Sequence, residues 1–465
     1  MTDPLNLNLD LDLLFPLPRR DFLRLGVATL ATRGLLPLLQ SDRPVPSPQQ
    51  LRWQQWEMGM FIHFGVNTFT GKEWGDGIED PAIFNPVHLD ARQWMRAARS
   101  AGLRYAVLTA KHHDGFCLWP SKVTEHSVKH SPWRGGEGDV VREFIDAARE
   151  EGIGAGLYLS PWDRNAPSYG DTPRYNDFYI DQLTELLGWY GPLVEVWFDG
   201  ANGEGAGGRR QVYDWPRIHR TVRRLQPDAL IFSDAGPDIR WIGNERGIAG
   251  DPNWCTVNPD RVPEPGLSSP EIIDALQHGD PPGEGTVWRP GEAPVSIRPG
   301  WFWRESENEE VKNPDELLEL YYTCVGRNAN LLLNVPPTRD GLIADRDMKS
   351  LQEFGVTQGK IFGHDLAAGA FRHTIKEGVE LESSSPIEFD TVVLREDISE
   401  GQSVSRFVVD AMLGERWREV AEGMTFGRSR IVRCERVRAR RVRVRAVESV
   451  GPVRIGGVGL YLWQT

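Results

Sequence analysis

The sequence predicts an α/β protein, namely an irregular (β/α)8 barrel followed by an all-β sandwich. Strand-like and helix-like segments alternate from about residue 50 to residue 355, which is the pattern of parallel strands joined by helices. After about residue 360 the helical pattern stops, and short alternating apolar segments are separated by turn residues. The 465 residues are enough for two such domains.

Eight segments in the first part have the apolar and aromatic character of strands. They are 59–66, 105–113, 154–161, 194–200, 230–236, 239–245, 295–303 and 328–337. Helical patterns lie between several of them, at 89–101, 138–151, 174–190, 212–225 and 314–326. Eight strands in about 300 residues fit a closed barrel. We expect irregularity, because little separates the fifth and sixth strands and a Pro/Gly-rich loop of roughly 246–293 precedes the seventh.

The N-terminal residues predict an export signal. Arg19 and Arg20 precede Phe-Leu and a modest apolar run, which resembles a twin-arginine leader; an amphipathic helix is the alternative. We therefore divide the chain into leader and linker (1–48), barrel (49–358) and β-sandwich (359–465), and expect a periplasmic or extracellular location. We expect no membrane span, because no other stretch reaches about 18 apolar residues.

Charge and cysteine content exclude some classes of protein. The net charge of −13 argues against nucleic acid as the main partner. In the stretch 436–445, arginine alternates with valine or alanine, so we interpret it as a strand with one solvated face. The alternation is interrupted at Arg440 and Arg441. The four cysteines have neither a disulfide framework nor zinc-site spacing.

The fourth strand, GPLVEVWFDG, ends in a carboxylate. Because side chains alternate along a strand, Glu195, Trp197 and Asp199 share one face, and the opposite face is apolar and can pack on helices. Asp199 is then expected inside the barrel at its carboxyl end, where active sites of such barrels lie. The same alternation places His63 and Tyr158 on the inner side of the first and third strands.

Two histidines, His112 and His113, follow the second strand. A metal site with His63 is one interpretation, but adjacent histidines on a regular strand point to opposite faces, and no further His/Cys set has ligand spacing. A structural role for one of the two histidines is another interpretation. We favour hydrogen bonding to a polyhydroxylated ligand, and expect no metal and no organic cofactor.

Further carboxylates follow the first and sixth strands. Glu73 is next to Trp74, a pair that suits a sugar because it offers oxygens for hydroxyl groups and a flat face for C–H groups. Glu245 comes 46 residues after Asp199 and at the same end of the barrel. Two carboxylates at that mouth could act as nucleophile and general acid/base of a glycoside hydrolase.

These motifs together resemble the retaining α-L-fucosidases of glycoside hydrolase family 29. The matching stretches run in order over about residues 55–345: MFIHFGVNTFTGKEW, YAVLTAKHHDGFCLWPS, LYLSPWD, VEVWFDGANG, RWIGNE, PGWFW and NLLLNVPPTRDGLI. The GNE and RPGWFW forms resemble the branch that prefers α-1,3/1,4-linked fucose. The C-terminal region resembles the galactose-binding-like sandwich found behind that barrel.

The resemblance implies a role for each matching residue. Asp199 is implied as nucleophile and Glu245 as acid/base, with Glu292 as the rival for the second role. The implied substrate-binding residues are His63, Glu73, Trp74, His112, His113, Tyr158, Trp197, Arg240 and Trp301. The role implied for Arg240 is less well supported, because Arg240 and Glu245 are five residues apart and therefore lie on opposite faces of the strand.

The implied activity is release of terminal fucose from fucosylated oligosaccharides or glycoconjugates through a covalent fucosyl-aspartate. The alternatives are a non-catalytic carbohydrate-binding protein on the same scaffold and a hydrolase of a related sugar such as an α-L-galactoside. The sandwich could bind a second sugar or calcium, or only shield the barrel. The natural aglycone, the signal cleavage site and the oligomeric state stay open.

Overall fold

A computed structural model of the protein describes residues 43–205 and 207–463. The predicted export signal, with Arg19 and Arg20, lies outside the described residues. Within this part of the chain, no helix is both long and apolar enough to cross a membrane.

Ten strands belong to the first part of the chain. They are β1 (Met58–Ile62), β2 (Tyr105–Lys111), β3 (Gly154–Leu159), β4 (Glu195–Trp197), β5 (Leu230–Ser233), β6 (Ile239–Trp241), β7 (Thr256–Val257), β8 (Val287–Trp288), β9 (Gly291–Ser296) and β10 (Ala329–Asn334). Strands β1 to β6, β9 and β10 close a parallel barrel in that order, with β10 pairing β1, while β7 and β8 form a separate antiparallel pair. The predicted eight-stranded barrel is therefore confirmed.

Helices surround the barrel, and six of the nine described begin after a residue whose side chain accepts from a backbone N–H of the first turn. For example, the Asp90 carboxylate accepts from two backbone N–H groups at the start of its helix, and Gly152 ends the next one in a left-handed conformation. The helices are α1 (Pro48–Trp56), α2 (Val66–Thr70), α3 (Ala91–Ser100), α4 (Val140–Glu151), α5 (Thr172–Trp189), α6 (Trp215–Leu225), α7 (Pro270–His278), α8 (Pro314–Thr323) and α9 (Asp345–Phe362).

Alternation along the barrel strands separates two apolar layers. Val196 and Phe198 pack in the large core between barrel and helices. Phe61, Tyr158 and Trp197 pack together in the barrel interior. The inner face predicted for the fourth strand therefore points inward, and its last residues reach the carboxyl end of the barrel.

The seventh barrel strand differs from the sequence-based expectation. It was predicted at 295–303, but β9 runs from Gly291 to Ser296. Glycine and proline are poor strand formers, so with Gly291 and Pro294 the sequence did not indicate where the strand begins. Pro299-Gly300 ends the apolar pattern in a turn. This shift moves Glu292 from a loop into the barrel wall.

The C-terminal domain is all-β, as predicted, and its strands pair antiparallel. Its strands are β11 (Phe371–Ile375), β12 (Gly378–Glu396), β13 (Val404–Leu413), β14 (Arg416–Met424), β15 (Arg430–Ser449) and β16 (Ile455–Tyr461), with neighbours in the order β11-β12-β15-β13-β14 and β16 beside β12. In β15 the valines Val442 and Val444 are buried while the alternating arginines are not, and the register breaks between Ala439 and Arg441. The arginine-rich stretch is thus a strand with one packed face.

Candidate active site

A pocket of about 310 Å³ opens at the carboxyl end of the barrel, a volume suited to one sugar ring. Nine of the eleven predicted site residues line it. They are His63, Glu73, Trp74, His112, His113, Trp197, Asp199, Glu245 and Trp301. The remaining lining residues are Phe61, Trp162, Gly200, Ala201, Asp234, Trp241 and Pro294.

Asp199 lies just beyond the end of β4, and its carboxylate is held by two donors. The backbone N–H of Ala201 donates to Oδ1 at 2.7 Å, and the hydroxyl of Tyr158 donates to Oδ2 at 3.1 Å. These two hydrogen bonds fix both oxygens. The side chain is 28% exposed and still faces the pocket. Tyr158 itself is fully buried, and its observed contact is with Asp199 rather than with the cavity.

His63 follows β1 and is oriented by Asn334 at the end of β10. The side-chain amide of Asn334 donates to Ser296 Oγ and to the Trp301 carbonyl, both at 2.9 Å, so its Oδ1 faces His63. Burial lowers the pKa of His63 to about 3 and keeps the imidazole neutral. Its Nδ1 lies 2.9 Å from Asn334 Oδ1, which can only accept, so Nδ1 carries the proton. Nε2 is therefore left as a hydrogen-bond acceptor.

His112 and His113 lie side by side, with ring centroids 4.0 Å apart. Burial lowers the pKa of both imidazoles, so both are neutral near pH 7. Ser160 donates its hydroxyl proton to a backbone carbonyl, so its Oγ accepts from His113 Nδ1 at 2.7 Å. His113 Nε2 then faces Asp199 Oδ2 at 3.9 Å as a second acceptor. A ligand hydroxyl between these two atoms could donate to either.

Glu73 joins two loops at the rim. Its carboxylate accepts from the backbone N–H of Trp301 at 3.2 Å and forms an ion pair with Arg304. The next residue, Trp74, is 59% exposed and meets Trp162 edge-on at 5.9 Å between ring centroids. The rim thus offers a carboxylate and a solvent-facing indole, the combination expected for sugar binding.

Glu245 lies at the rim and reaches solvent. Desolvation at the pocket wall, and then the negative charge of Asp199, raise its pKa above the ordinary value for a glutamate. The indole N–H of Trp301 donates to it and partly opposes this rise. A carboxyl group of raised pKa beside a second carboxyl group is the arrangement that glycoside hydrolysis uses.

The predicted Arg240 and the rival acid/base Glu292 both lie outside the pocket lining. Arg240 points out of the barrel: its guanidinium donates to the Leu276 carbonyl at 2.8 Å, to Asn253 Oδ1 at 2.7 Å and to the Arg289 carbonyl. This corrects its assignment to substrate, and the reason is its parity on β6. Glu292 lies in the barrel interior, where Tyr105 and Trp197 donate to it, so it does not reach the cavity as a rival of Glu245.

Asp234, at the end of β5, was missed. It lines the pocket, accepts from the backbone N–H of Gly266 at 3.0 Å, and its pKa is raised to about 7, mainly by burial and then by Asp199. It lies against Gly200, where a Cβ atom would come within 1.9 Å of its Oδ2, so a side chain at position 200 would displace the Asp234 carboxylate. Side-chain alternation could have predicted it, because Asp234 comes two residues after Phe232, which points inward, and residues two apart share a strand face.

Trp162 and Trp241 were also missed, because a tryptophan in a strand or loop is most often a core residue. Within residues 43–205 and 207–463, no group of three or more His, Cys, Asp or Glu side chains is arranged to hold a metal ion. The titratable side chains that line the pocket are imidazoles and carboxyl groups.

Comparison with known proteins identifies the family. A family model described as alpha-L-fucosidase matches residues 79–357. The chain is 45% identical to alpha-L-fucosidase 1 of Arabidopsis thaliana over 425 residues, which are 84% of this chain and 82% of that protein.

Solved structures agree. A glycoside hydrolase 29 family member from an unknown rumen bacterium superposes with a TM-score of 0.85 at 42% identity, covering 91% of this chain and 78% of that one. A Ruminococcus gnavus family 29 fucosidase in complex with fucose gives a TM-score of 0.80 at 32% identity, covering 90% and 95%. With the carboxylate-bearing pocket at the mouth of the barrel, these matches show that the chain belongs to the α-L-fucosidases of glycoside hydrolase family 29.

Proposed function

We propose that this glycoside hydrolase is a retaining exo-α-L-fucosidase that removes terminal α-1,3/1,4-linked L-fucose from glycans. The observation that carries the proposal is the pairing of Asp199, held by two donors, with Glu245, whose pKa is raised, in one sugar-sized pocket. The cavity is closed at its base by the barrel interior, which suits a terminal sugar rather than an internal one.

In the first step, an oxygen of Asp199 attacks the anomeric carbon and the glycosidic C–O bond breaks. Glu245 gives its proton to the departing oxygen, and a covalent fucosyl-aspartate forms. In the second step, water gives a proton to Glu245 and attacks the anomeric carbon, and the bond to Asp199 breaks. Two inversions leave the product with the configuration of the substrate.

The neutral histidines fit a binding role in this scheme. His63 and His113 each direct a nitrogen acceptor toward a ligand, because their Nδ1 protons are used by Asn334 and Ser160. Fucose hydroxyl groups would donate to these nitrogens, while Trp301, whose ring centroid is 5.0 Å from that of His63, offers an apolar face. Glu73 and Trp74 would contact the sugar at the rim.

The nucleophile is tested with Asp199→Ala and an aryl α-L-fucoside. The variant should lose at least about 10³-fold in kcat, the scale expected when a covalent nucleophile is removed. The product anomer of the wild type, followed by NMR during turnover, should be α. An active Asp199→Ala variant would contradict the assignment, and a β product would contradict retention.

The acid/base is tested with Glu245→Ala. Azide is a small anion that needs no base to attack, so it should restore turnover of an aryl fucoside by displacing Asp199 from the fucosyl-enzyme, and two inversions should yield a fucosyl azide of α configuration. The matched control is Glu292→Ala in the barrel interior, where azide should give no rescue. Rescue of the Glu292 variant alone would exchange the two roles.

Linkage preference follows from a panel of fucosylated oligosaccharides. We expect release of fucose from α-1,3 and α-1,4 linkages at least tenfold faster than from α-1,2 and α-1,6 linkages. The support is the RWIGNE and PGWFW sequences, which carry Glu245 and Trp301 at the rim where a leaving sugar would lie. Equal rates on all linkages would remove the branch assignment and leave the fucosidase activity.

Three alternatives have distinct outcomes. An α-L-galactoside differs from a fucoside by a hydroxyl on C6, and the aromatic base formed by Phe61 and Trp197 favours a methyl group there. We therefore expect fucoside turnover to exceed galactoside turnover. A carbohydrate-binding protein would bind fucose without turnover of any fucoside, and a metal-dependent hydrolase would lose activity to a chelator.

We also propose export through a twin-arginine leader and the domain limits 1–48, 49–358 and 359–465. Replacing Arg19 and Arg20 with lysine should leave the protein in the cytoplasm of an expressing bacterium. Export of the double variant at the wild-type level would contradict this. Limited proteolysis tests the limits, because cleavage is expected near residue 48 before the barrel is attacked.

A further inference from the structure

A pair of carboxyl groups lies in the barrel interior below the pocket and takes no part in the proposed mechanism. Glu195 opens β4 and Glu292 lies near the start of β9, and both side chains are fully buried. The two groups are in hydrogen-bonding contact with each other. A buried carboxyl pair is costly unless its protons and hydrogen bonds are fully used.

The donors around the pair determine where its proton lies. Tyr105 donates to Glu292 Oε1 at 2.5 Å, and the indole of Trp197 donates to Glu292 Oε2 at 3.0 Å. Glu195 accepts only from the indole of Trp53, at 3.2 Å on Oε2, and its buried Oε1 has no donor among the described residues. A proton on Glu195 Oε1, donated to Glu292, satisfies this atom.

The surroundings agree with this placement. Burial and the neighbouring Glu292 raise the pKa of Glu195 well above its ordinary range, so Glu195 is the neutral partner. Glu292 then receives three donors, from Tyr105, Trp197 and Glu195. A carboxylate is acceptor-only, and three converging donors are what it requires.

We infer that Glu292 is a positioning residue that fixes the indole of Trp197 in the wall of the fucose pocket; this inference rests on the proposed function. Trp197 stacks on Phe232 with ring centroids 4.0 Å apart and planes 8° apart. Stacking fixes the plane of the indole, but a half-turn about the Cβ–Cγ bond keeps that plane and exchanges the two edges of the ring. The hydrogen bond from its N–H to Glu292 removes this rotation and sets which edge lines the cavity.

The experiment compares Glu292→Met with Glu195→Met, two equal changes of shape at the same depth. Only Glu292→Met removes the acceptor of the Trp197 N–H. The inhibition constant of L-fucose, measured at a temperature where both variants are folded, should rise about tenfold for Glu292→Met and stay within twofold for Glu195→Met. A purely structural role would lower the unfolding temperature of both variants without separating their inhibition constants.

A second measurement covers the case in which Glu292→Met fails to fold. Incorporation of 3-benzothienylalanine at position 197 keeps the bicyclic shape but lacks the N–H, so fucose inhibition should weaken by the same factor. Wild-type inhibition in this substituted protein, or an equal loss in Glu195→Met, would overturn the inference. If the wild type neither binds fucose nor cleaves a fucoside, the proposed function fails, which is a separate result.

Discussion

The hydroxyl of Tyr158 is expected to control the reactivity of Asp199. Tyr158→Phe removes one donor, at 3.1 Å from Oδ2, and keeps the buried ring that packs between His112 and Trp197. The pKa of Tyr158 is raised well above its ordinary value by burial, so the hydroxyl stays a donor over the accessible pH range. The contact is therefore a permanent one between a neutral donor and a carboxylate.

A hydrogen bond to a charged group contributes about 1.5–3 kcal/mol. Loss of this amount from the transition state lowers kcat/KM by roughly 10- to 150-fold. The assay is steady-state hydrolysis of an aryl α-L-fucoside, with thermal unfolding measured on the same samples. The loss is expected in kcat/KM even at temperatures where the variant is fully folded.

Tyr179 provides a matched control. It is also fully buried, and its hydroxyl donates to the Leu159 carbonyl at 2.7 Å, away from the pocket. Tyr179→Phe should cost a similar stability, about 1–3 kcal/mol, because it leaves one buried acceptor unpaired. Its kcat/KM should stay within about twofold of wild type. The reasoning is refuted if Tyr158→Phe keeps wild-type kcat/KM, or if both variants lose activity equally.

Three further changes separate stability from catalysis. Arg240→Met leaves buried acceptors unpaired, so calorimetry should show an unfolding temperature several degrees lower, whereas KM should not change. Glu245→Gln cannot donate a proton; because the raised pKa of Glu245 keeps its acid form at higher pH, the variant should lose the alkaline limb of the kcat/KM profile and should slow oligosaccharides more than activated aryl fucosides. Asp234→Asn should remove a pH dependence of unfolding, because Asp234 has a pKa of about 7 in the folded protein and about 3.8 in the unfolded chain. The folded wild type therefore holds a proton that the unfolded chain has released, and its free energy of unfolding falls between about pH 4 and 7. Denaturant titrations should show a smaller fall for the variant.

The alternation of side chains made most of the site predictable. Asp199 and His63 were placed because a strand has a period of two, and this depends only on the neighbouring residues. Their partners were not predictable in the same way. Asn334 is 271 residues from His63, and its role follows only from the closure of β10 against β1. No local pattern marks one asparagine among many as the residue that sets a histidine tautomer.

Errors arose where strands are short or begin with poor strand formers. β6 has only three residues, and neighbouring residues on a strand point to opposite faces. Arg240 therefore points outward, while the next residue, Trp241, lines the pocket. The late start assigned to the seventh strand left Glu292 in the preceding loop, as a rival of Glu245 for the acid/base role. Once β9 begins at Gly291, Glu292 is an inward residue of the wall, paired with Glu195.

The charges of the pocket suit a transition state that develops positive charge on the sugar ring. Glu73 is neutralised by Arg304, and the raised pKa values of Asp234 and Glu245 favour their protonated forms.

The histidines matter most to this balance. A protonated His113 at 3.9 Å would pair with Asp199 and would oppose positive charge at the anomeric carbon, but burial lowers its pKa. Among the described residues, no lysine or arginine lies within ion-pair distance of Asp199. In the proposed mechanism, the developing oxocarbenium ion is therefore the cation that meets the carboxylate of Asp199.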